Sequence, residues 1–222
     1  MSSGAKLLAI VAGITAADAA TIRVPRDYGK IQQAIDAARD GDDITVAAGT
    51  YHERLDFDGK AIRVMGAGSA NTTVDATRVG SVVAGGVVHF RSGETSRSVL
   101  SGFTITGGRA VEHGGGICCS NAGGGIESSP IIRDCVIRDN RTTGTTRGGQ
   151  KIQFGGGGIA CWKSSPSIVD CLIESNRSSS AGGGVLCWDA SPTIRGATIA
   201  KDTGNAFSIY GLVGGSPQII DL

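Results

Sequence analysis

The chain of 222 residues has two tryptophans, Trp162 and Trp188, and each directly follows a cysteine. They close two copies of one pattern, Gly158-Ile159-Ala160-Cys161-Trp162 and Gly184-Val185-Leu186-Cys187-Trp188, so a repeating structure puts them at equivalent places. Flat aromatic rings set one above the other on a surface suit the apolar faces of sugar rings. The same arrangement serves equally as an aromatic ladder that only steadies neighbouring strands. Ahead of the first tryptophan runs a basic stretch, 141–154, with Arg141, Arg147 and Lys151 and no acid. Cations there suit the carboxylates of acidic sugars. The expected ligand-contact residues are therefore Trp162, Trp188, Arg147 and Lys151.

Other chemistries find less support. Cleavage of a glycosidic bond needs two carboxyl groups about 5 to 9.5 Å apart, and Glu127 with Asp189 is the one pairing worth testing. Asp134 and Asp170 recur at one repeat position with Gly196 next in line, which fits a turn better than a shared cation. Zinc needs converging Cys or His ligands, but Cys118 and Cys119 are adjacent and only three histidines exist, so no metal site is expected. The glycine runs lack the Lys-Ser/Thr of a phosphate loop.

The element that must carry these residues is a repeat. Leu100-x-x-Phe103-x-Ile105, Ile132-x-x-Cys135-x-Ile137, Ile168-x-x-Cys171-x-Ile173 and Ile194-x-x-Ala197-x-Ile199 share one spacing, and a partial fifth copy is Ile219-x-x-Leu222. Pro130, Pro166, Pro192 and Pro217 precede four of them at intervals of 36, 26 and 25 residues. A period in this range marks a solenoid, whose units bury their apolar faces only against each other. The apolar steps of two and three, broken by Gly, Ser, Pro and Asn, describe three short strands per coil. Coils stack about 4.8 Å apart, so equivalent residues form ladders, with Cys119, Cys161, Cys187, Cys135 and Cys171 inside as small apolar groups. Asn140 and Asn176 are expected to bond along the axis at a bend, and Cys118 to point outward as the reactive thiol. Helical and leucine-rich repeats are excluded by spacing.

Thirty-six glycines without a three-residue period suit many tight turns. A net charge of +1 argues against nucleic acid as a partner. Residues 1–20, with Lys6 ahead of an uncharged run and Ala17-Asp18-Ala19 after it, have the layout of a signal peptide. That implies a secreted, periplasmic or cell-surface protein, with no membrane-spanning segment after its removal. The segment 21–43 reads as a strand and a capping helix: Ile31, Ala34, Ile35 and Ala38 make one apolar face, and Gly41 stops it. The β-helix then occupies 44–222 and stops inside a repeat.

On these residues the chain resembles right-handed parallel β-helix proteins of the pectate-lyase-like superfamily. Val24-Pro25-x-x-Tyr28-x-x-Ile31-Gln32-x-Ala34-Ile35, Gly41-Asp42 and Gly49-Thr50-Tyr51-x-Glu53 are similar to the cap and first coil of such secreted proteins. The I-x-x-N and G-G-G-I elements also resemble the repeats of polymorphic outer-membrane surface proteins. The first resemblance implies an all-β, right-handed single-stranded parallel β-helix that associates with polysaccharide, expected to be an acidic glycan. Lyase or hydrolase chemistry would come with it, and calcium only for a lyase; the carboxylate cluster of the lyases has no match. The second implies an adhesin-like module acting through protein contacts, or a truncated solenoid without activity.

Overall fold

The computed structural model describes residues 19–80, 86–121, 127–147, 150–152, 155–210 and 217–220. The apolar run of the expected signal peptide and Leu222 of the fifth copy lie outside the described residues. The described chain winds as a right-handed parallel β-helix whose coils contribute one strand to each of three long sheets. Sheet A has eight strands, from Thr21–Val24 to Gln218–Ile220. Sheet B has six, from Gly49–Tyr51 to Thr198–Ala200, and sheet C six, from Leu55–Asp56 to Phe207–Tyr210.

Stacking in register follows from the branched apolar residues recurring at one place per coil. In sheet A the inward column runs Ile44, Val64, Leu100, Ile132, Ile168, Ile194, Ile219. In sheet B it runs Val74, Ile105, Ile137, Ile173, Ile199. Most of these side chains have no exposure at all, and each contributes about 1.5–3 kcal/mol by leaving water. Between the two sheets Phe103, Cys135, Cys171 and Ala197 fill the corner at 0–2% exposure. The interior ladders expected from spacing are thus present.

In three successive coils a short fourth strand joins the three expected. A fourth sheet, D, is formed by Arg109–Ala110, Arg141–Thr142 and Arg177–Ser178. Its strands carry one inward residue each, too few to leave an apolar rhythm in the sequence. The corners are made by residues in left-handed conformation. Gly102, Asp134, Asp170 and Gly196 share one corner at φ of 51–75°, where Asp tolerates the conformation better than most residues. The two aspartates are turn residues, as their position suggests.

The next corner holds a polar ladder inside the core. The Asn140 amide nitrogen Nδ2 donates to Asn176 Oδ1 at 3.1 Å, and Asn176 Nδ2 donates to Asp202 Oδ1 at 3.1 Å. The same nitrogens donate to Ile105 O and Ile137 O, while Gly108 N donates to Asn140 Oδ1. Each buried amide is therefore satisfied along the axis, as buried polar groups must be. The opposite corner has a counterpart: Glu94 accepts from Gly59 N, Ser92 N and Ser128 Oγ while fully buried.

At the N-terminal end the helix Ile31–Ala37 buries Ile31, Ala34 and Ile35. It ends because Ala38 turns extended, three residues before the expected stop at Gly41. Its start carries no side-chain cap of its own; Glu53 of the following coil accepts from Ile31 N at 2.9 Å and Gln32 N at 3.0 Å. At the other end Lys60 Nζ donates to Ile35 O and Asp36 O. A carboxylate at the helix start and an ammonium at its end both oppose the dipole. Asp42 holds Arg39 N and Ala20 N, and those two backbone donors keep its carboxyl below the usual range. The Gly41-Asp42 and Gly49-Thr50-Tyr51-x-Glu53 motifs are thus cap fasteners.

Candidate functional site

Sheet C strands alternate strictly. Ile117, Ile159 and Val185 point in, Cys119, Cys161 and Cys187 point in, and the residues between and after them point out. Yet Cys118, Ala160 and Leu186, on the outer face, are 7%, 1% and 2% exposed. The glycine run before each strand folds back over it. A Cβ on Gly114 would sit 2.8 Å from Cys118 Cα, and one on Gly156 2.8 Å from Ala160 Cα. Both glycines are left-handed, at φ of 59° and 73°. Cys118 is therefore no exposed nucleophile, contrary to the reading from alternation alone: burial pushes its thiol up to about 11. All six cysteines are free thiols, packed as small apolar groups.

The glycine roof leaves one outer position per strand, the residue after the inner cysteine. It holds the half-buried Trp162 and Trp188, in register with the buried Ser120 on one side and with Tyr210 on the other. The rings of Trp162 and Trp188 stack at 4.9 Å with 12° between planes. His113, from the glycine run of the preceding coil, lies 4.5 Å from Trp162 on centroids. Trp162 thus has the Trp188 ring stacked on it and the His113 ring tilted against it. The expected platform of open ring faces is realised as a half-buried ladder. Burial holds the His113 imidazole down at about 4, so it is neutral at physiological pH.

On the other side of the glycine run lies sheet D. A Cβ on Gly115 would be 2.8 Å from Arg141 N, and one on Gly157 2.7 Å from Arg177 C. Ala110, Thr142 and Ser178 point inward and are buried, while Arg109, Arg141 and Arg177 are exposed and in register. Other arginines have acids beside them: Arg133 with Asp134, Arg138 with Asp139, Arg91 with Asp56. No described ion pair includes Arg109, Arg141 or Arg177. Sequence reasoning grouped Arg141 with a protruding loop and missed the column. The signal was there, in Gly108-Arg109, Asn140-Arg141 and Asn176-Arg177, one residue past each member of the amide ladder.

The remaining insertion is an antiparallel hairpin of Thr145–Arg147 and Gln150–Ile152. Its register pairs Arg147 with Gln150 and Thr146 with Lys151, so the two basic residues belong to neighbouring pairs; their side chains lie outside the described residues. Most of the segment around Asn121 also lies outside them. Glu127 and Asp189 each stand three residues before a repeat proline, with Lys163 at the same place in the coil between. Two coils separate the carboxyls, about 9.6 Å of strand spacing, and a cation stands between them. That arrangement is a charge column at a turn, where Lys163 and Asp189 are both left-handed. Elsewhere Lys201 pairs with Glu174 at 3.8 Å and Arg138 with its neighbour Asp139. Among the described residues no group of three His, Cys, Asp or Glu side chains could hold a metal, and no helix is long and apolar enough to cross a membrane.

The fold defines the chain as a right-handed parallel β-helix protein. No family model and no curated protein matches it. Among solved structures it is similar to the pectin methylesterase from Aspergillus niger in deglycosylated form, at 12% identity and a TM-score of 0.39, over 91% of this chain and 83% of that one. It is also similar to a pectin methylesterase in complex with a hexasaccharide, at 12% identity and a TM-score of 0.27, over 92% and 93%. At that distance neither enzyme lends a residue or a substrate to this chain.

Proposed function

We propose that this chain is an exported, secreted or cell-surface β-helix that associates with acidic polysaccharide through sheet D and sheet C. The observation that carries this is the exposed column of Arg109, Arg141 and Arg177, which has no acid of its own among the described ion pairs. Guanidinium groups bind carboxylates in a two-pronged fashion and stay charged at any physiological pH. Trp162 and Trp188 close the sheet C strands that follow the glycine run, at the end remote from sheet D, and Arg147 and Lys151 add charge from the hairpin. Binding without cleavage fits a surface whose carboxylates sit in turns and ion pairs.

Titration of the protein with polygalacturonate, alginate and neutral dextran, read by tryptophan fluorescence, tests this. A saturable change with the acidic polymers alone is expected, and in Trp162→Ala/Trp188→Ala, which leaves no tryptophan to report, binding followed by calorimetry should be weakened. No response to any acidic polymer would remove the reading and leave the adhesin-like alternative.

A further inference from the structure

The buried amide ladder passes from two asparagines to a carboxyl. Asp202 follows Asn140 and Asn176 in the column, and its Oδ1 does what an asparagine Oδ1 does. It accepts from Asn176 N at 2.6 Å and from Asn176 Nδ2 at 3.1 Å. Its Oδ2 stands where the ladder has Nδ2. A Cβ on Gly116 would meet Asn140 Nδ2 at 2.9 Å, and one on Gly158 would meet Asn176 Nδ2 at 2.9 Å. The equivalent Cβ on Gly184 would meet Asp202 Oδ2 at 2.5 Å. Methyl groups of Ile137, Ile173 and Ile199 line the same three places. In the two asparagine coils that nitrogen donates to the isoleucine carbonyl one coil back, Ile105 O and Ile137 O. For Asp202 the carbonyl at the equivalent place is Ile173 O. An ionised oxygen there sets acceptor against acceptor, and Oδ2 is buried with no partner among the described residues. A buried acceptor left so carries the whole cost of its desolvation.

We infer that Asp202 holds a proton on Oδ2, taken from solvent and donated to Ile173 O, and that this proton clasps the coil of Asp202 to the solenoid. The neutral carboxyl copies the asparagine amide, with one acceptor and one donor, so the column closes as it does in the coils before. Burial raises the Asp202 carboxyl above its ordinary value by more than the two donors of Asn176 lower it, and Glu174 raises it further. The charged groups around it are few. Glu174 lies on the strand Leu172–Glu174 of the coil before, Lys201 is its sequence neighbour and pairs with Glu174, and exposed Arg177 follows Asn176. Residues 182–184 and 203–206 bring no titratable side chain. Thr198–Ala200 and Phe207–Tyr210 are the last strands of their sheets among the described residues. Coils touch only their neighbours, so the clasp governs local opening of residues 198–210. With the folded value raised, the stability that the proton supplies is whole below the unfolded value of about 3.9. It is lost as pH rises through the folded value. Acid fastens the coil and deprotonation loosens it.

The test is a pH series on the full chain. In the unmodified protein the Asp202 carboxyl carbon, followed by NMR, should titrate above the ordinary aspartate value of about 3.9. Asp202→Asn, which fixes the donor in place, should raise Tm by about 2–4 °C near pH 8. That gain should vanish as pH falls below about 3.9. His113 titrates in both proteins and cancels in the difference. Amide exchange reads the coil directly, at Thr198 N bonded to Cys171 O and Thr203 N bonded to Asn176 O. After correction for intrinsic rates, both amides should lose protection on raising pH in the unmodified chain and keep it in Asp202→Asn. Asp202→Ala, which also strips Asn176 of its acceptor, should lower Tm at every pH. An Asp202 carboxyl that titrates at or below the ordinary value overturns the inference. So does an Asp202→Asn shift of one size at every pH, or an Asp202→Ala variant as stable as Asp202→Asn. Protection of Thr198 and Thr203 that ignores pH in the unmodified chain overturns the clasp.

Discussion

Glu53 and Lys60 sit at opposite ends of one short helix, each reaching from the coil beneath to backbone groups that the helix cannot satisfy itself. Replacing Glu53 by Gln keeps one acceptor and removes the charge, and should lower stability by about 1–2 kcal/mol in a urea titration. His113 gives a pH signature. Its folded value of about 4 lies below the ordinary histidine value, so the unfolded chain takes up the proton first on acidification. The stability that the neutral ring supplies is whole above about pH 6.5 and is lost as pH falls towards 4. The imidazole resonances of His113 should titrate near 4, and His113→Phe should flatten that part of the stability profile relative to the unchanged protein. For the thiols, a labelling reagent should leave Cys118 unmodified in the native state and react with all six cysteines only in denaturant, because burial raises the Cys118 thiol and the glycine run shields it.

The elements share one device, a column of like residues bonding along the axis, and each column can be broken singly. Asn176→Ala would leave Asn140 N and Ile137 O buried without their partners, a loss of about 2–4 kcal/mol measurable by denaturant unfolding. Gly158→Ala would place a methyl group 2.6 Å from Gly184 O and 2.9 Å from Asn176 Nδ2. The backbone on one side and the hydrogen-bonded Asn176 amide on the other have little room to yield, and about 1–3 kcal/mol should be lost. The sequence made the inward columns readable because branched residues at fixed steps have one packing solution. The tryptophan pair was readable for the same reason, as a repeat position. What it could not show was that stacking would consume the ring faces, or that a glycine run would roof Cys118; both depend on how a loop folds back, which leaves no periodic trace. The arginine column was missed because its strands are two residues long, with a single inward side chain each.

At the scale of the molecule, coils touch only their neighbours, so stability is close to a sum of coil and interface contributions. Excising residues 163–188 joins Trp162 to Asp189, the residue equivalent to Lys163, and preserves every register pair across the cut. The shortened chain should still fold cooperatively, with a lower Tm and the native circular-dichroism shape. The fold was legible almost completely: repeat, ladders, amide column and cap helix all follow from spacing. The function was legible only in outline, since a repeat fixes where residues stand and not what they meet.

The roofing of sheet C by glycine carries a consequence for how such a chain changes over generations. In the two windings with an inner cysteine followed by tryptophan, only that tryptophan escapes full cover, so drift on that flank is confined to a single display slot per winding, now filled by Trp162 and Trp188. Gaining or losing a winding lengthens or shortens the row without altering its interval. The molecule behaves as a ruler whose marks can be recut one at a time.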